Sequence, residues 1–207
     1  MTERSELQRL CGSLERGDID VARFLGRFTR LLAEMLGCGR CGVWMFTQEA
    51  NKRALECVAM FDVEVASLVK PPKIHDLDAA VFIEELERNG SVIASDVRTH
   101  PLTTVTLQSY LRETQVRALL SICFSVNGRA VIAFSGENLR QPMDWGQTQI
   151  QVMQHICSCA GLALLHAADS RADTAPGALR DSTPPLKHVS TVSLPLDTDF
   201  SVPKPGN

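Results

Sequence analysis

Between residues 21 and 36 the apolar side chains fall at Val21, Phe24, Leu25, Phe28, Leu31, Leu32, Met35 and Leu36, a spacing that lays one stripe along a helix. Asp18 or Asp20 can accept from the first-turn N–H groups, and Gly37 can close the helix in the left-handed conformation. Two apolar runs of strand length follow, 41–47 (CGVWMFT) and 54–61 (ALECVAMF), and the polar link QEANKR between them predicts a hairpin. Beyond Pro71 and Pro72, Asp76 stands before a second helix with Val81, Phe82 and Leu86 on its inner side, ending at Gly90. A short strand is expected over 91–94 and a shorter helix over 101–114. Runs 117–126 and 129–135 flank Asn127-Gly128, a dipeptide suited to the positive φ angles of a two-residue hairpin turn. Asp144 precedes a long last helix, Trp145 to about Ala167, striped by Gln149, Ile150, Met153, Ile156, Cys157, Ala160 and Leu164.

The order α β β α β α β β α, with strands paired as hairpins and long helices at both ends, predicts an α+β sandwich and disfavours a dinucleotide fold. A two-residue turn at 127 and 128 sets a register in which Phe124 faces Val131 and Ile122 faces Ala133 on a bulky apolar side. On the other side Cys123 faces Ile132, Ser121 faces Phe134 and Ser125 faces Ala130. Hydroxyls and a thiol among large apolar groups suit the wall of a cavity, and equally a sheet face half covered by a loop.

Composition adjusts this picture in two places. The chain has 207 residues, 44% of them hydrophobic and 22% charged, enough for one domain with polar sequence to spare. Residues 169–207 hold six of the ten prolines and are rich in Ser, Thr and Asp, so they are expected to form a flexible tail behind a domain of 18–168 and a helical lead-in of 1–17. Within that tail HVSTVSLPLDTDFSV alternates apolar and polar residues and could add a strand to a protein partner; the alternative is a plain linker. A net charge of −3 supplies no bulk positive field, so neither nucleic acid nor a membrane surface is expected as a partner, and any anionic contact must be local. The N-terminus lacks the apolar core of a signal peptide, which gives a cytoplasmic expectation and makes the seven cysteines free thiols.

Several motifs fail on their setting. Gly37-Cys-Gly-Arg-Cys-Gly42 matches GxGxxG but follows a helix and precedes a strand, the reverse of a pyrophosphate cradle. Cys38-x-x-Cys41 with Cys157-x-Cys159 suggests zinc, yet two cysteines two apart on a helix point about 200° away from each other. Cys157 is also expected about 18 Å along its helix from the end nearest Cys38. The five histidines show no chelating spacing, and no GxSxG, P-loop or paired-carboxylate arrangement is present, so no enzyme is expected. The polar cluster Ser95-Asp96-Val97-Arg98-Thr99-His100-Pro101 leaves a short strand where ligands are often met; alternatively Asp96 makes a local turn that caps the following helix.

From about Asp18 to Leu165 the chain resembles a GAF domain, a small-molecule sensing module common in bacterial signalling proteins. The likeness rests on Val43-Trp44-Met45-Phe46, on Val92-Ile93-Ala94-Ser95-Asp96 through Pro101, and on Tyr110-Leu111. The hairpin from Leu119 to Ser135 and the stretch Asn138 to Trp145 complete it. The resemblance implies a three-layer sandwich: a central antiparallel sheet, the first and last helices on one face, and a ligand pocket on the other roofed by the middle helices. It does not extend to particular ligands. Asn51-Lys52 sits in a hairpin link without the distant Phe and Asp of cyclic-nucleotide relatives, and the DIP-type motif near a bilin-bearing cysteine is missing. No cysteine lies between Cys57 and Cys123, where free methionine sulfoxide reductases of this family keep theirs.

The expected site is therefore a pocket for a small organic ligand, of unknown identity, beside Ser121, Cys123, Ser125 and Phe134. Trp44 and Phe46 are expected as aromatic wall and Asp96 and Arg98 as polar anchors, with Tyr110 also among the ligand-binding residues. Signalling is expected to pass through a homodimer or a protein partner. The competing expectations are an interaction protein with a filled pocket, and a thiol redox sensor using Cys123 or Cys38 and Cys41, or an enzyme like the free methionine sulfoxide reductases.

Overall fold

The Asp20 carboxylate accepts from the Arg23 N–H at 2.7 Å, and Gly37 closes the same helix at φ 64°. These two caps fix α2 (Val21–Leu36), whose inner side buries Phe24, Leu25, Phe28, Leu32 and Leu36. The computed structural model describes residues 3–49, 52–75 and 77–172. In chain order the other elements are α1 (Glu3–Glu15), β1 (Arg40–Glu49), β2 (Lys52–Asp62), β3 (Ser67–Val69), α3 (Leu77–Asn89), β4 (Ser91–Ala94), α4 (Gln108–Thr114), β5 (Val116–Val126), β6 (Arg129–Leu139) and α5 (Gln147–Ala172). The cap read for Asp76 and the strand-like stretch of the tail lie outside the described residues.

The strands form one antiparallel sheet in the order β3-β2-β1-β6-β5-β4. Helices α1, α2 and α5 cover one face, where Phe28, Phe134, Ile122, Ile132, Met153 and Ile156 make the larger core. Helices α3 and α4 cover the other, over Trp44, Cys57, Met60, Leu119 and Ala133. This is the α+β three-layer sandwich that the element order predicts. By length and composition α5 could cross a membrane, but its apolar stripe of Met153, Ile156, Cys157, Ala160 and Leu164 is buried against the sheet.

Three local expectations change. The β5–β6 hairpin carries a bulge at Val131: Val126 faces Arg129 and Ser125 faces Ala130, but Phe124 then faces Ile132 and Ile122 faces Phe134. One extra residue moves the rest of β6 to the opposite face, so Phe134 belongs to the α2 side, its ring 5.7 Å from that of Phe28. Residues 101–107 are turns, and helix begins only at Gln108 after Leu107 takes a left-handed φ of 56°. At α5 helix begins at Gln147 rather than Trp145, which leaves Asp144 short of the cap position, and the Gln149 side chain reaches back to accept from the Gly146 N–H at 2.9 Å.

Candidate functional site

On the α3/α4 side of the sheet, β1, β6 and β5 present Trp44, Ser135, Glu137, Ser121 and Cys123. The Trp44 indole N–H donates to the Ser135 hydroxyl at 2.9 Å. Its ring meets Tyr110 of α4 edge-on, centroids 5.6 Å apart, and the Tyr110 hydroxyl donates to Glu137 Oε1 at 2.7 Å. All four side chains are buried. Burial lifts the Glu137 carboxyl to about 7, against the opposing pull of the Tyr110 hydroxyl and the Arg40 charge. Glu137 Oε2 has no hydrogen-bond partner among the described residues. Burial and the neighbouring Glu137 together push the Tyr110 phenol well above its ordinary range.

The cavity expected on this face is therefore occupied by the protein's own side chains. Trp44 and Tyr110 do come together, but as a buried plug with Glu137 rather than as an open wall. Ser121 is buried opposite Ser135. Phe46, Cys123 and Ser125 lie toward the far end. There the Arg53 guanidinium sits 5.8 Å over the Phe46 ring and is bidentate on Glu87 of α3, holding that carboxyl below its usual range. The Cys123 sulfur is 3.3 Å from the Ser125 hydroxyl, and burial raises its thiol. Phe134 is on the other face altogether, because of the Val131 bulge.

Asp96 and Arg98 stand at the rim, where the chain leaves β4. Asp96 Oδ1 accepts the Arg98 N–H at 3.0 Å, the local turn weighed for it, and Oδ2 accepts from Arg117 Nη2 at 2.7 Å. The Arg117 guanidinium first, then that N–H, holds the Asp96 carboxyl below its ordinary range. No helix follows at Pro101; instead the Thr103 hydroxyl donates to Val97 O at 2.7 Å and Gln108 Nε2 to Thr103 O at 2.6 Å, fastening the 97–107 segment to the start of α4. Between this segment, α4 and the base of β5 lies an open groove of about 600 Å³. Val97, Leu111 and Val116 line it, with Gln108, Gln115 and the guanidinium-bearing Arg98, Arg112, Arg117 and Arg140. Of the expected residues only Arg98 lines this groove. Ser135, Glu137, Arg112, Arg117 and Arg140 escape sequence reasoning; the one signal available is a charge, Glu137, inside an otherwise apolar strand pattern.

The cysteines sort by depth. Cys38 and Cys41 meet with sulfurs 3.5 Å apart, and burial first, then the neighbouring Cys38, raises the Cys41 thiol. Burial raises Cys57 and Cys157 as well and pushes Cys11 up to about 12. Raised, enclosed thiols are poor nucleophiles. Among the described residues no group of three or more His, Cys, Asp or Glu side chains is arranged to hold a metal.

The family model of the GAF domain matches residues 20–164. The chain belongs to the GAF domain family. No curated protein matches it. Among solved structures, it is 18% identical to the blue-light absorbing form of the Thermosynechococcus elongatus PixJ GAF domain, with a TM-score of 0.56, covering 84% of this chain and 95% of that one. It is 14% identical to the GAF domain of an Acinetobacter phosphoenolpyruvate-protein phosphotransferase, with a TM-score of 0.57 and coverage of 83% and 95%. A free methionine-R-sulfoxide reductase from Neisseria meningitidis, solved with its substrate, is 12% identical, with a TM-score of 0.57 and coverage of 82% and 95%. At these identities the likeness concerns the GAF fold, which hosts photoreceptor, regulatory and enzymatic proteins alike.

Proposed function

We propose that this GAF domain is a cytoplasmic sensory module that binds a small organic molecule and signals by changing its contacts with a second copy of itself or with another protein. The observation that carries the reading is the groove against α4. Its volume of about 600 Å³ is that of a small-molecule site, and it mixes an apolar floor with convergent polar groups. The plugged sheet face moves the ligand from the interior to this rim. A ligand there touches both α4 and the 97–104 segment, so its occupancy can bias the position of α4, which is what a signalling module requires. Binding is favoured over catalysis because burial raises the Cys41, Cys57, Cys123 and Cys157 thiols rather than activating them.

Native mass spectrometry of the protein purified gently from its own cells, before and after denaturation, tests this. A small mass released on denaturation, and lost when Gln108→Trp fills the groove, is the expected result. A released mass indifferent to Gln108→Trp places the ligand elsewhere. An unliganded protein that is constantly dimeric or constantly bound to a partner favours the second reading, a module working through contacts alone, for which the Trp44, Tyr110 and Glu137 plug is the supporting observation.

A further inference from the structure

We propose that the groove beside α4 recognises an anion: a small organic molecule carrying a phosphate or carboxylate group on an apolar body. The inference rests on that groove being the ligand site and assigns its chemistry. Four guanidiniums, of Arg98, Arg112, Arg117 and Arg140, line one concavity. Asp96 and Glu64 offset two of them from its edges, and the positive charge of the other two is left for an anion in the groove to balance.

The four arginines are not equivalent. Arg117 gives its Nε and Nη2 to the two oxygens of Asp96, which fixes the guanidinium at the groove wall and leaves its Nη1 unspent. Arg140 pairs with Glu64 at 3.0 Å, but both side chains are more than half exposed, so that pair is weak and easily exchanged for another anion. Arg98 and Arg112 have no carboxylate within ion-pair distance among the described residues, and Arg112 spends only its Nε, on Gln108 O at 3.1 Å. Two uncommitted guanidiniums beside a positioned third match the oxygens of a phosphate or carboxylate, which a guanidinium grips with paired N–H groups.

The rest of the groove sets the size and character of the ligand. Val97, Leu111 and Val116 are buried and form an apolar floor, which an inorganic anion leaves unused. The volume suits a molecule of drug-like size. A nucleic acid or a membrane surface is a poorer fit, since the chain carries a net charge of −3 and this concavity gathers only four of its 21 lysines and arginines.

Amide NMR titrations of the full chain with phenyl phosphate, benzoate and the neutral benzyl alcohol test the assignment. Phenyl phosphate or benzoate is expected to shift the amides of Val97, Arg98, Gln108 and Arg112, with affinity falling as salt is raised. The double variant Arg98→Ala/Arg112→Ala, both exposed side chains, is expected to lose about tenfold or more in that affinity. The control Arg16→Ala/Arg30→Ala, just after α1 and on α2, is expected to lose none. Which anion binds more tightly separates a phosphate from a carboxylate ligand. Equal binding of benzyl alcohol at the same amides, indifferent to salt and to the arginine variant, overturns the anionic assignment and leaves the groove as a ligand site. Shifts confined to the sheet-side residues Trp44 and Glu137 overturn both.

Discussion

Glu137 is the residue whose environment most contradicts its chemistry. It sits in the middle of the α3/α4-side core with one oxygen bound to Tyr110 and the other unpartnered, and burial lifts its carboxyl from 4.5 to about 7. The folded protein therefore holds a proton there that the unfolded chain has already released. Stability is greatest below the unfolded pKa, falls as pH rises from about 4.5 to 7, and is level above that. The loss across this window is on the order of 3 kcal/mol for a shift of this size. Glu137→Gln keeps an acceptor for the Tyr110 hydroxyl and removes the charge, so its denaturation midpoint is expected to be flatter than that of the native chain across the window and higher above pH 7. Urea titrations at a series of pH values read this directly. Parallel curves for the two proteins would show that water or Arg40 relieves the charge and that no burial cost exists.

Two glycines inside helices show how packing reverses a propensity. A Cβ at Gly161 of α5 would stand 2.4 Å from the Phe124 ring of β5, whereas a Cβ at Gly26 of α2 would meet only Leu68, at 3.4 Å. Gly26→Ala is expected to stabilise by up to about 1 kcal/mol, the helix-propensity gain alone. Gly161→Ala is expected to destabilise by about 1–2 kcal/mol despite the same gain, and Phe124→Leu in the same chain to recover part of it. Thermal unfolding of the three variants checks the signs. The same contrast explains what the sequence discloses. The stripe of α2, the long α5, the Asn127-Gly128 hairpin and the α+β order are legible because local periodicity and turn chemistry determine them. The Val131 bulge has no local signature, and missing it sends Phe134 to the wrong face. The turns of 101–107 replace a helix because Thr103, Thr106 and Gln108 satisfy backbone carbonyls with their side chains. The site was legible only in part: Trp44 and Tyr110 meet as aromatics, but the plug they form needs Glu137, and the groove needs arginines brought together from α4, β5 and the end of β6.

At the scale of the whole molecule the two sides of the sheet are unequally secured. On one side α5 buries Ile150, Met153, Ile156, Cys157, Ala160, Ala163 and Leu164, and α1 and α2 add their own apolar faces. On the other, α4 is seven residues long, buries Tyr110 and Leu111, and is flanked by Leu107 and Gln115 at left-handed φ angles of 56° and 58°. Each such residue carries a backbone cost of about 1 kcal/mol or more. Local opening of α4 and the 97–107 segment exposes Val97, Leu107, Tyr110 and Leu111 and releases strain, whereas opening of α5 exposes the larger main core. Amide hydrogen exchange is expected to be fastest, among the secondary elements between residues 21 and 172, over 108–114, and slowest in β1, β6 and the middle of α5. Because the groove is bounded by α4, saturating phenyl phosphate is expected to slow exchange at 97–116 and to leave α5 unchanged in its central turns. Uniform protection on both sides of the sheet would mean that α4 is as firmly held as the helical layer, and a ligand at its edge would then have no mobile element to bias.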